Sequence, residues 1–195
     1  MDAVTATTQM TATEFLARPE EPNCRRCQLI DGELVMHEPT RMHNGSQGCV
    51  YWALTEWARA AAGRGWVGLP LDVRLDERNV YGPDVVWYRD GRAPRREDPA
   101  PYPVPDLAVE VRSPSTWRLD IRVKKATYER HGVAELWLVD TSADVVLVFR
   151  RSLIEGGSAP AVAQFDVSLE IGPDEKLTSP LLPGLELSVA EIFEL

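Results

Sequence analysis

The sequence predicts a domain of the mixed α/β or α+β class. Its 195 residues are enough for one domain with a sizeable core, and 44% of them are hydrophobic. In residues 107–140 an apolar run, a helical stretch and a second apolar run follow one another, as in a strand–helix–strand crossover. Short apolar runs separated by turns lie on both sides, which indicates an antiparallel meander beside the crossover.

The first part of the chain predicts a short helix, a hairpin and a long helix. Residues 11–14 (T-A-T-E) have the spacing of a capping box that opens a short helix. Residues 28–36 form two short apolar runs around an Asp31-Gly32 turn, which is typical of a hairpin. In residues 42–62 apolar side chains recur every three or four positions, as on one face of an amphipathic helix that the following glycines end.

The rest of the chain is expected to contain mainly short strands. Residues 89–105 are rich in proline, arginine and charge, which indicates an exposed loop, and Gly132 ends a helix that begins at Asp120. A short helix at 188–193 is expected to pack Ile192 and Phe193 onto the body. The predicted strands are residues 66–69, 71–75, 85–88, 107–111, 135–140, 145–150 and 161–169.

The net charge and the hydropathy of the sequence indicate where the protein is located and which partners it binds. The net charge of −9 argues against a generic nucleic-acid-binding protein, which is expected to be basic. Basic residues do group in 89–96 and 112–125, where they form either a local basic face or solvated loops and a solvated helix face. No apolar run approaches the ~20 residues of a membrane span, and no signal peptide is visible. We therefore expect a cytoplasmic protein with no membrane partner and a flexible tail over residues 1–10.

Cysteine spacing offers a zinc hypothesis and a simpler alternative. Cys24 and Cys27 have C-x-x-C spacing, and His37 and His43 would be the only nearby residues to complete a ligand set. A second C-x-x-C is absent from the sequence. The simpler interpretation is two ordinary thiols.

Three residues have the placement that metal-assisted phosphodiester chemistry needs. Asp84 precedes one predicted strand, Glu110 lies near the end of another, and Lys124 follows on a helix. Carboxylates at such positions can meet at one edge and bind a hard cation such as Mg²⁺, with the lysine offsetting phosphate charge. Asp84 is equally explained as a turn residue and Lys124 as a solvated one. Glu110 either lies at an edge or is paired, or strand alternation turns it to solvent.

Two further features are expected to be structural. The segment Ser113-Pro-Ser-Thr116 has no histidine in register with it, so it is interpreted as turn and N-cap chemistry and not as a nucleophile motif. Tyr128, one helical turn after Lys124, is expected to pack.

Motifs along nearly the whole chain resemble one known family. They are residues 11–20 (T-A-T-E-F-L-A-R-P-E), 28–35 (Q-L-I-D-G-E-L-V), 82–86 (G-P-D-V-V), 105–116 (P-D-L-A-V-E-V-R-S-P-S-T), 120–128 (D-I-R-V-K-K-A-T-Y), 131–140 (H-G-V-A-E-L-W-L-V-D), 182–187 (L-P-G-L-E-L) and 191–193 (E-I-F). The string from Val109 to Asp140 is the most specific part. With these motifs the sequence is similar to the Uma-two family of restriction-endonuclease-like proteins, a bacterial branch of the PD-(D/E)xK nuclease superfamily.

The resemblance implies one restriction-endonuclease-like domain over residues 1–195, with a core sheet flanked by helices and a metal-dependent centre. Asp84 matches the first acidic metal ligand and Glu110 the second. The usual E-x-K lysine falls at Arg112, and Lys124 matches the helix lysine that replaces it. Arg112 is a poorer group for handling water than lysine. Glu38 or His43 matches an upstream polar position that supports the metal ion or its water. His43 is equally well explained as a satisfied histidine at the start of the long helix.

Two functions follow as hypotheses. In the first, the chain is a Mg²⁺-dependent (or Mn²⁺-dependent) DNA endonuclease in which Asp84 and Glu110 hold the ion and Lys124 positions the attacking water. A homodimer is expected, because cutting both DNA strands with this fold usually takes two sites. In the second, the fold is a catalytically weak or inactive module that binds nucleic acid or protein; the acidic net charge and Arg112 favour it.

Overall fold

The structure, a computed structural model, describes residues 9–18, 27–154 and 161–194. All but the last two residues of the expected N-terminal tail lie outside these ranges. No helix in the described ranges is long and apolar enough to cross a membrane. The helices are α1 (Ala12–Leu16), α2 (Arg41–Arg59), α3 (Trp117–Leu119), α4 (Lys125–Arg130) and α5 (Val189–Phe193), and Asp120–Lys124 is a π-helical segment between α3 and α4.

The strands of the described residues form a six-stranded sheet, a four-stranded sheet and a two-stranded ribbon. Their bounds, in chain order, are β1 (Cys27–Ile30), β2 (Glu33–Met36), β3 (Trp66–Gly68), β4 (Val73–Asp76), β5 (Asn79–Tyr81), β6 (Val85–Tyr88), β7 (Leu107–Val111), β8 (Glu135–Asp140), β9 (Val145–Arg150), β10 (Val167–Ile171), β11 (Lys176–Leu177) and β12 (Leu187–Ser188).

The six-stranded sheet is mixed, which confirms the predicted class. Its strand order is β10-β9-β8-β7-β6-β3. Only β7 and β8 run parallel, and the helical segments from α3 to α4 connect them as the predicted crossover. The other pairs in this sheet are antiparallel. The smaller sheet has the order β2-β1-β5-β4, and its β1–β2 hairpin turns at Asp31 and Gly32, as expected.

Helices and the smaller sheet cover the two faces of the six-stranded sheet. On one face α2 and α5 bury Val50, Leu54 and Ile192 against the side chains of the central strands. On the other face Tyr128 of α4 packs with Ile30 and other residues of the smaller sheet. Burying both faces explains why β6, β7 and β8 consist almost entirely of buried residues.

Alternation along β7 gives each face of the sheet its own side chains. Val109 and Val111 join the core beneath α2, whereas Ala108 joins the core beneath α4. Glu110 therefore points to the face of the sheet that α4 covers. Only 2% of the surface of Glu110 is exposed to solvent. The alternative that alternation turns Glu110 to solvent is wrong, because both faces of this strand are covered.

Three local predictions differ from the structure. The sequence does not predict β5, β11 or β12, because strands of two or three residues give little periodicity. The expected strand at 161–169 begins only at Val167; residues 161–164 are bends, and Ala161 N–H donates to the Ser152 carbonyl. The helix expected from Asp120 starts three residues earlier and contains the π-helical turn.

Candidate active site at the ends of two central strands

A buried ion pair joins the central sheet to the helix that follows it. The Lys124 ammonium lies 2.8 Å from Oε2 of Glu110, near the end of β7. Lys124 and Glu110 are only 1% and 2% exposed. The paired interpretation of Glu110 is therefore correct, and Lys124 is not a solvated helix residue.

Asp120 is a second carboxylate on the same ammonium. Its Oδ1 lies 2.9 Å from Lys124 Nζ, one turn back along the helix. Its Oδ2 accepts a hydrogen bond of 3.0 Å from the Thr116 hydroxyl, which lies 2.9 Å from the Ser113 hydroxyl. Thr116 is the N-cap residue of α3, in agreement with the interpretation of this segment, but its side chain makes no capping hydrogen bond. Its hydroxyl orients Asp120 instead.

Tyr128 completes the surroundings of Glu110. Its hydroxyl donates a 2.5 Å hydrogen bond to Oε1, while Oε2 faces Lys124. The ring packs edge-on against Tyr81 with centroids 5.4 Å apart. Tyr128 therefore packs, as expected, but it also fixes the rotamer of the Glu110 carboxyl group.

Burial and charge sharing set the protonation of this cluster. Burial, the largest effect, raises the pKa of Glu110 to about 8, against the lowering effect of Lys124. Burial opposes a charged Lys124, but Asp120 and Glu110 together outweigh it and raise the pKa of the ammonium above its ordinary value. Burial, and then Glu110, raises the pKa of the Tyr128 hydroxyl. Two carboxyl groups thus share one ammonium that keeps its proton.

Asp84 reaches the same region from the neighbouring antiparallel strand. Val85 of β6 pairs with Val109 of β7, so Asp84 lies beside the end of β7. Its Oδ2 accepts a 2.7 Å hydrogen bond from Val111 N–H. Asp84 is close enough to Glu110 to raise the pKa of that residue. The two predicted acidic ligands therefore lie on adjacent strands at one end of the sheet.

Two histidines lie beside Asp84, near enough to the Lys124 cluster for Lys124 and Asp120 to influence the pKa of His37. His43, in the first turn of α2, places Nε2 3.2 Å from Asp84 Oδ1 and is 2% exposed. The His37 ring lies edge-on to the His43 ring, with centroids 4.6 Å apart. Burial lowers the pKa of His37. Of the two upstream candidates, His43 thus lies at Asp84, whereas Glu38 is exposed.

Arg112 is engaged away from the Glu110 carboxyl group. Its guanidinium donates a 2.7 Å hydrogen bond to Asp140 Oδ1 at the end of β8 and lies 5.3 Å from the Trp117 ring centroid. The residue at the usual E-x-K lysine position therefore ties two parallel strands together. Lys124 occupies the space beside Glu110 instead.

The sequence did not identify three contributors: Asp120, Tyr128 as a hydrogen-bond donor, and His37 as a neighbour of Asp84. The four-residue spacing of Asp120, Lys124 and Tyr128 was a usable signal, because it places all three on one helix face. The sequence suggests a role for His37 only as a possible zinc ligand with the cysteines. Cys27 is disulfide-bonded, so the expectation of an ordinary thiol there is wrong, and Cys24 lies outside the described residues.

A mixed sheet flanked by helices, with acidic residues at the ends of two central strands and a lysine on the helical segment that follows, is the architecture of the restriction-endonuclease-like class of α/β proteins. The chain belongs to the Uma2 family, whose model matches residues 12–190 and carries the description "Putative restriction endonuclease". This confirms the resemblance seen in the sequence motifs.

A solved structure has the same fold. It is described as a "putative nuclease belonging to DUF820" from Anabaena variabilis, and it superimposes with a TM-score of 0.74 at 21% sequence identity. The match covers 94% of this chain and 97% of that one. No curated protein matches this chain significantly.

Proposed function

We propose that this chain is an endonuclease that uses a divalent metal ion, Mg²⁺ or Mn²⁺, to hydrolyse phosphodiester bonds in DNA. The observation that carries the proposal is the buried Lys124 ammonium between Glu110 and Asp120, next to Asp84 on the adjoining strand. Buried charged groups at the ends of central strands are costly to keep, and such clusters are concentrated at functional sites.

The residues present fit a metal ion. Asp84 and Glu110 supply the carboxylate oxygens that Mg²⁺ prefers. Both ring nitrogens of His43 are buried and have no hydrogen-bond partner among the described residues, although Nε2 lies near Asp84 Oδ1. A polar group left unsatisfied in this way costs free energy unless a ligand satisfies it. When bound, the ion would lower the pKa of a bound water and offset charge on the phosphate.

The chain's own groups have distinct roles in the proposed reaction. Asp84 and Glu110 would hold the ion. Lys124 is a cation and not a base, because its two carboxylate neighbours raise its pKa; it would orient the attacking water and offset phosphate charge. Tyr128 would hold one oxygen of Glu110 so that the other keeps its direction. Asp120 would position Lys124.

The second candidate is a catalytically weak or inactive module that binds nucleic acid or protein. Its supporting observation is that both oxygens of Glu110 already have partners, Tyr128 and Lys124. A carboxyl group with a pKa raised to about 8 is also a poorer ligand until an ion displaces its proton. The net charge of −9 further opposes binding to a polyanion.

The deciding experiment is a cleavage assay on single- and double-stranded DNA and RNA with Mg²⁺, Mn²⁺ or EDTA. We expect metal-dependent cleavage of DNA that falls at least about 100-fold in Glu110→Ala and stays near wild type in the matched control Glu38→Ala, whose carboxylate is exposed. Arg112→Lys should change the rate less than about tenfold, since Arg112 pairs with Asp140.

The alternatives give different results in the same assay. Binding of nucleic acid without cleavage would support the inactive module. A chain that neither binds nor cleaves nucleic acid would contradict the endonuclease and the nucleic-acid-binding module, and would leave a protein-binding module or a purely structural role in an assembly.

We further propose that the chain forms one endonuclease domain, acts in the cytoplasm and works as a homodimer. The dimer is inferred from the need to cut two strands with one site per chain. Light scattering on the purified chain measures its mass directly, and a monomer at every concentration used for cleavage would contradict the dimer.

A further inference from the structure

We propose that His37, His43 and Asp84 form a binding site for a first-row transition-metal ion, and that this site takes Co²⁺ or Zn²⁺ more tightly than Mg²⁺. The inference rests on the proposed function in one respect, since Asp84 is also a proposed ligand there. It adds two nitrogen donors and a metal preference that an all-oxygen site would not have.

The three side chains come from separate parts of the fold and meet in one cavity. His37 follows β2, His43 lies in the first turn of α2, and Asp84 immediately precedes β6. Thr40 caps α2 by accepting the His43 N–H, which fixes the start of the helix between the two histidines. A cavity of about 180 Å³ is lined by all three residues and also by Gln47 and Asp72.

The distances suit one ion. One donor atom from each residue lies within 4.8 Å of the other two. Two metal–ligand bonds of about 2.1 Å at a tetrahedral angle place their donor atoms about 3.4 Å apart, so side-chain movements of about 1.5 Å would bring the set onto one centre. The Asp84 backbone is held in place by Gln47, whose amide donates to its carbonyl oxygen at 2.8 Å.

Three buried ring nitrogens in this cluster have no hydrogen-bond partner among the described residues. They are Nε2 of His37 and both Nδ1 and Nε2 of His43. A histidine kept only for packing is expected to have its buried nitrogens satisfied, because leaving them bare costs free energy. Ring nitrogens without a hydrogen-bond partner, one of which (His43 Nε2) lies 3.2 Å from a carboxylate oxygen of Asp84, are a donor arrangement that a metal ion satisfies.

The donor types determine the preference. Imidazole nitrogen suits Zn²⁺, Cu²⁺ and Ni²⁺, whereas carboxylate and water suit Mg²⁺ and Ca²⁺. Two nitrogens and one carboxylate therefore favour the transition ions, with affinity rising from Mn²⁺ to Co²⁺. Removing His37 should cost affinity for Co²⁺ but little for Mg²⁺, which would continue to use oxygen ligands.

The test is calorimetric titration of the tag-free, metal-free chain with CoCl₂, ZnCl₂ and MgCl₂, supported by the visible absorption spectrum of the Co²⁺ form. We expect wild type to bind Co²⁺ and Zn²⁺ at least about tenfold more tightly than Mg²⁺. His37→Ala should lose about tenfold or more for Co²⁺ and change its cobalt spectrum, with less than about threefold change for Mg²⁺.

His131→Ala is the matched control, because His131 is the remaining histidine and lies beside Asp76. It should bind Co²⁺ as wild type does. His37 is partly exposed on an irregular segment, so its variant should fold, and circular dichroism checks this. Unchanged Co²⁺ affinity in folded His37→Ala, or an equal loss in His131→Ala, overturns the site.

The cleavage assay separates this inference from the proposed function. Co²⁺ binding that depends on His37, without cleavage by any ion, would support the site and contradict the endonuclease. Mg²⁺-dependent cleavage, together with an affinity for Co²⁺ no greater than that for Mg²⁺, would support the endonuclease and contradict the proposed transition-metal site.

Discussion

Among single residues, Lys124 has the most demanding environment, since its ammonium is 1% exposed and faces two carboxyl groups. Lys124→Met keeps the chain length and removes the charge. We expect it to lower the free energy of unfolding by about 3–5 kcal/mol, because Glu110 and Asp120 lose their shared partner while remaining buried. Urea denaturation of the metal-free protein measures this loss.

The adjacent Lys125 provides the control for that substitution. It is partly exposed and lies 4.4 Å from the Phe149 ring centroid. Lys125→Met should change the free energy of unfolding by less than about 1 kcal/mol. Equal losses of unfolding free energy in Lys124→Met and Lys125→Met would mean that the buried ion pairs of Lys124 do not stabilise the fold.

Candidate site residues could be predicted from the sequence where a motif contains them, as for Asp84, Glu110 and Lys124, whose roles stay predictions. Their contacts could not, because they depend on side-chain directions set by the packed fold. Strand alternation alone leaves open whether Glu110 faces solvent. The structure answers this because both faces of β7 are covered. His37 was missed for the same reason: only tertiary structure brings it against His43.

At the level of elements, strong local signals were reliable. The capping box of α1, the β1–β2 turn and the β7–β8 crossover all appear in the structure. Weak periodicity failed, as at β5 and before β10, where pairing with a neighbour determines the strand more than its own sequence does. The π-helical segment before Lys124 likewise has no signal in residue type alone.

Strand β8 contains a buried carboxyl group whose pKa predicts a pH effect on stability. Glu135 accepts hydrogen bonds from Ser179 at 2.6 Å and from Trp137 at 2.7 Å, yet burial raises its pKa above 4.5. The folded state therefore binds this proton more tightly than the unfolded state. Stability due to Glu135 is greatest below about pH 4.5 and falls as pH rises through the folded pKa.

The variant Glu135→Gln isolates this effect. Denaturation of wild type and variant between about pH 4.5 and pH 7 should show the wild type losing stability relative to the variant as pH rises. Glu38→Gln, at an exposed position, should show a constant difference from wild type. A difference between wild type and Glu135→Gln that is constant or grows in favour of wild type would contradict the raised pKa.

For the whole molecule, the distribution of charge bears on how DNA would bind. The sequence left open whether its basic groups form a basic face. The structure pairs several of them within the chain: Arg89 and Arg92 with Asp106, Arg112 with Asp140, and Lys124 with Glu110 and Asp120. These cations are partly or wholly neutralised, so they add little to the attraction of phosphate. A net charge of −9 remains.

We therefore predict that the chain binds DNA only when a divalent ion bridges its carboxylates and the phosphate. Fluorescence anisotropy of a labelled duplex should show binding with Ca²⁺, which shares the charge and oxygen preference of Mg²⁺, and at least about tenfold weaker binding in EDTA. NaCl added to the same ionic strength should not replace Ca²⁺, because screening reduces repulsion without bridging. Equally tight binding in EDTA would instead reveal a basic surface sufficient for DNA, and Glu110→Ala would then leave binding unchanged.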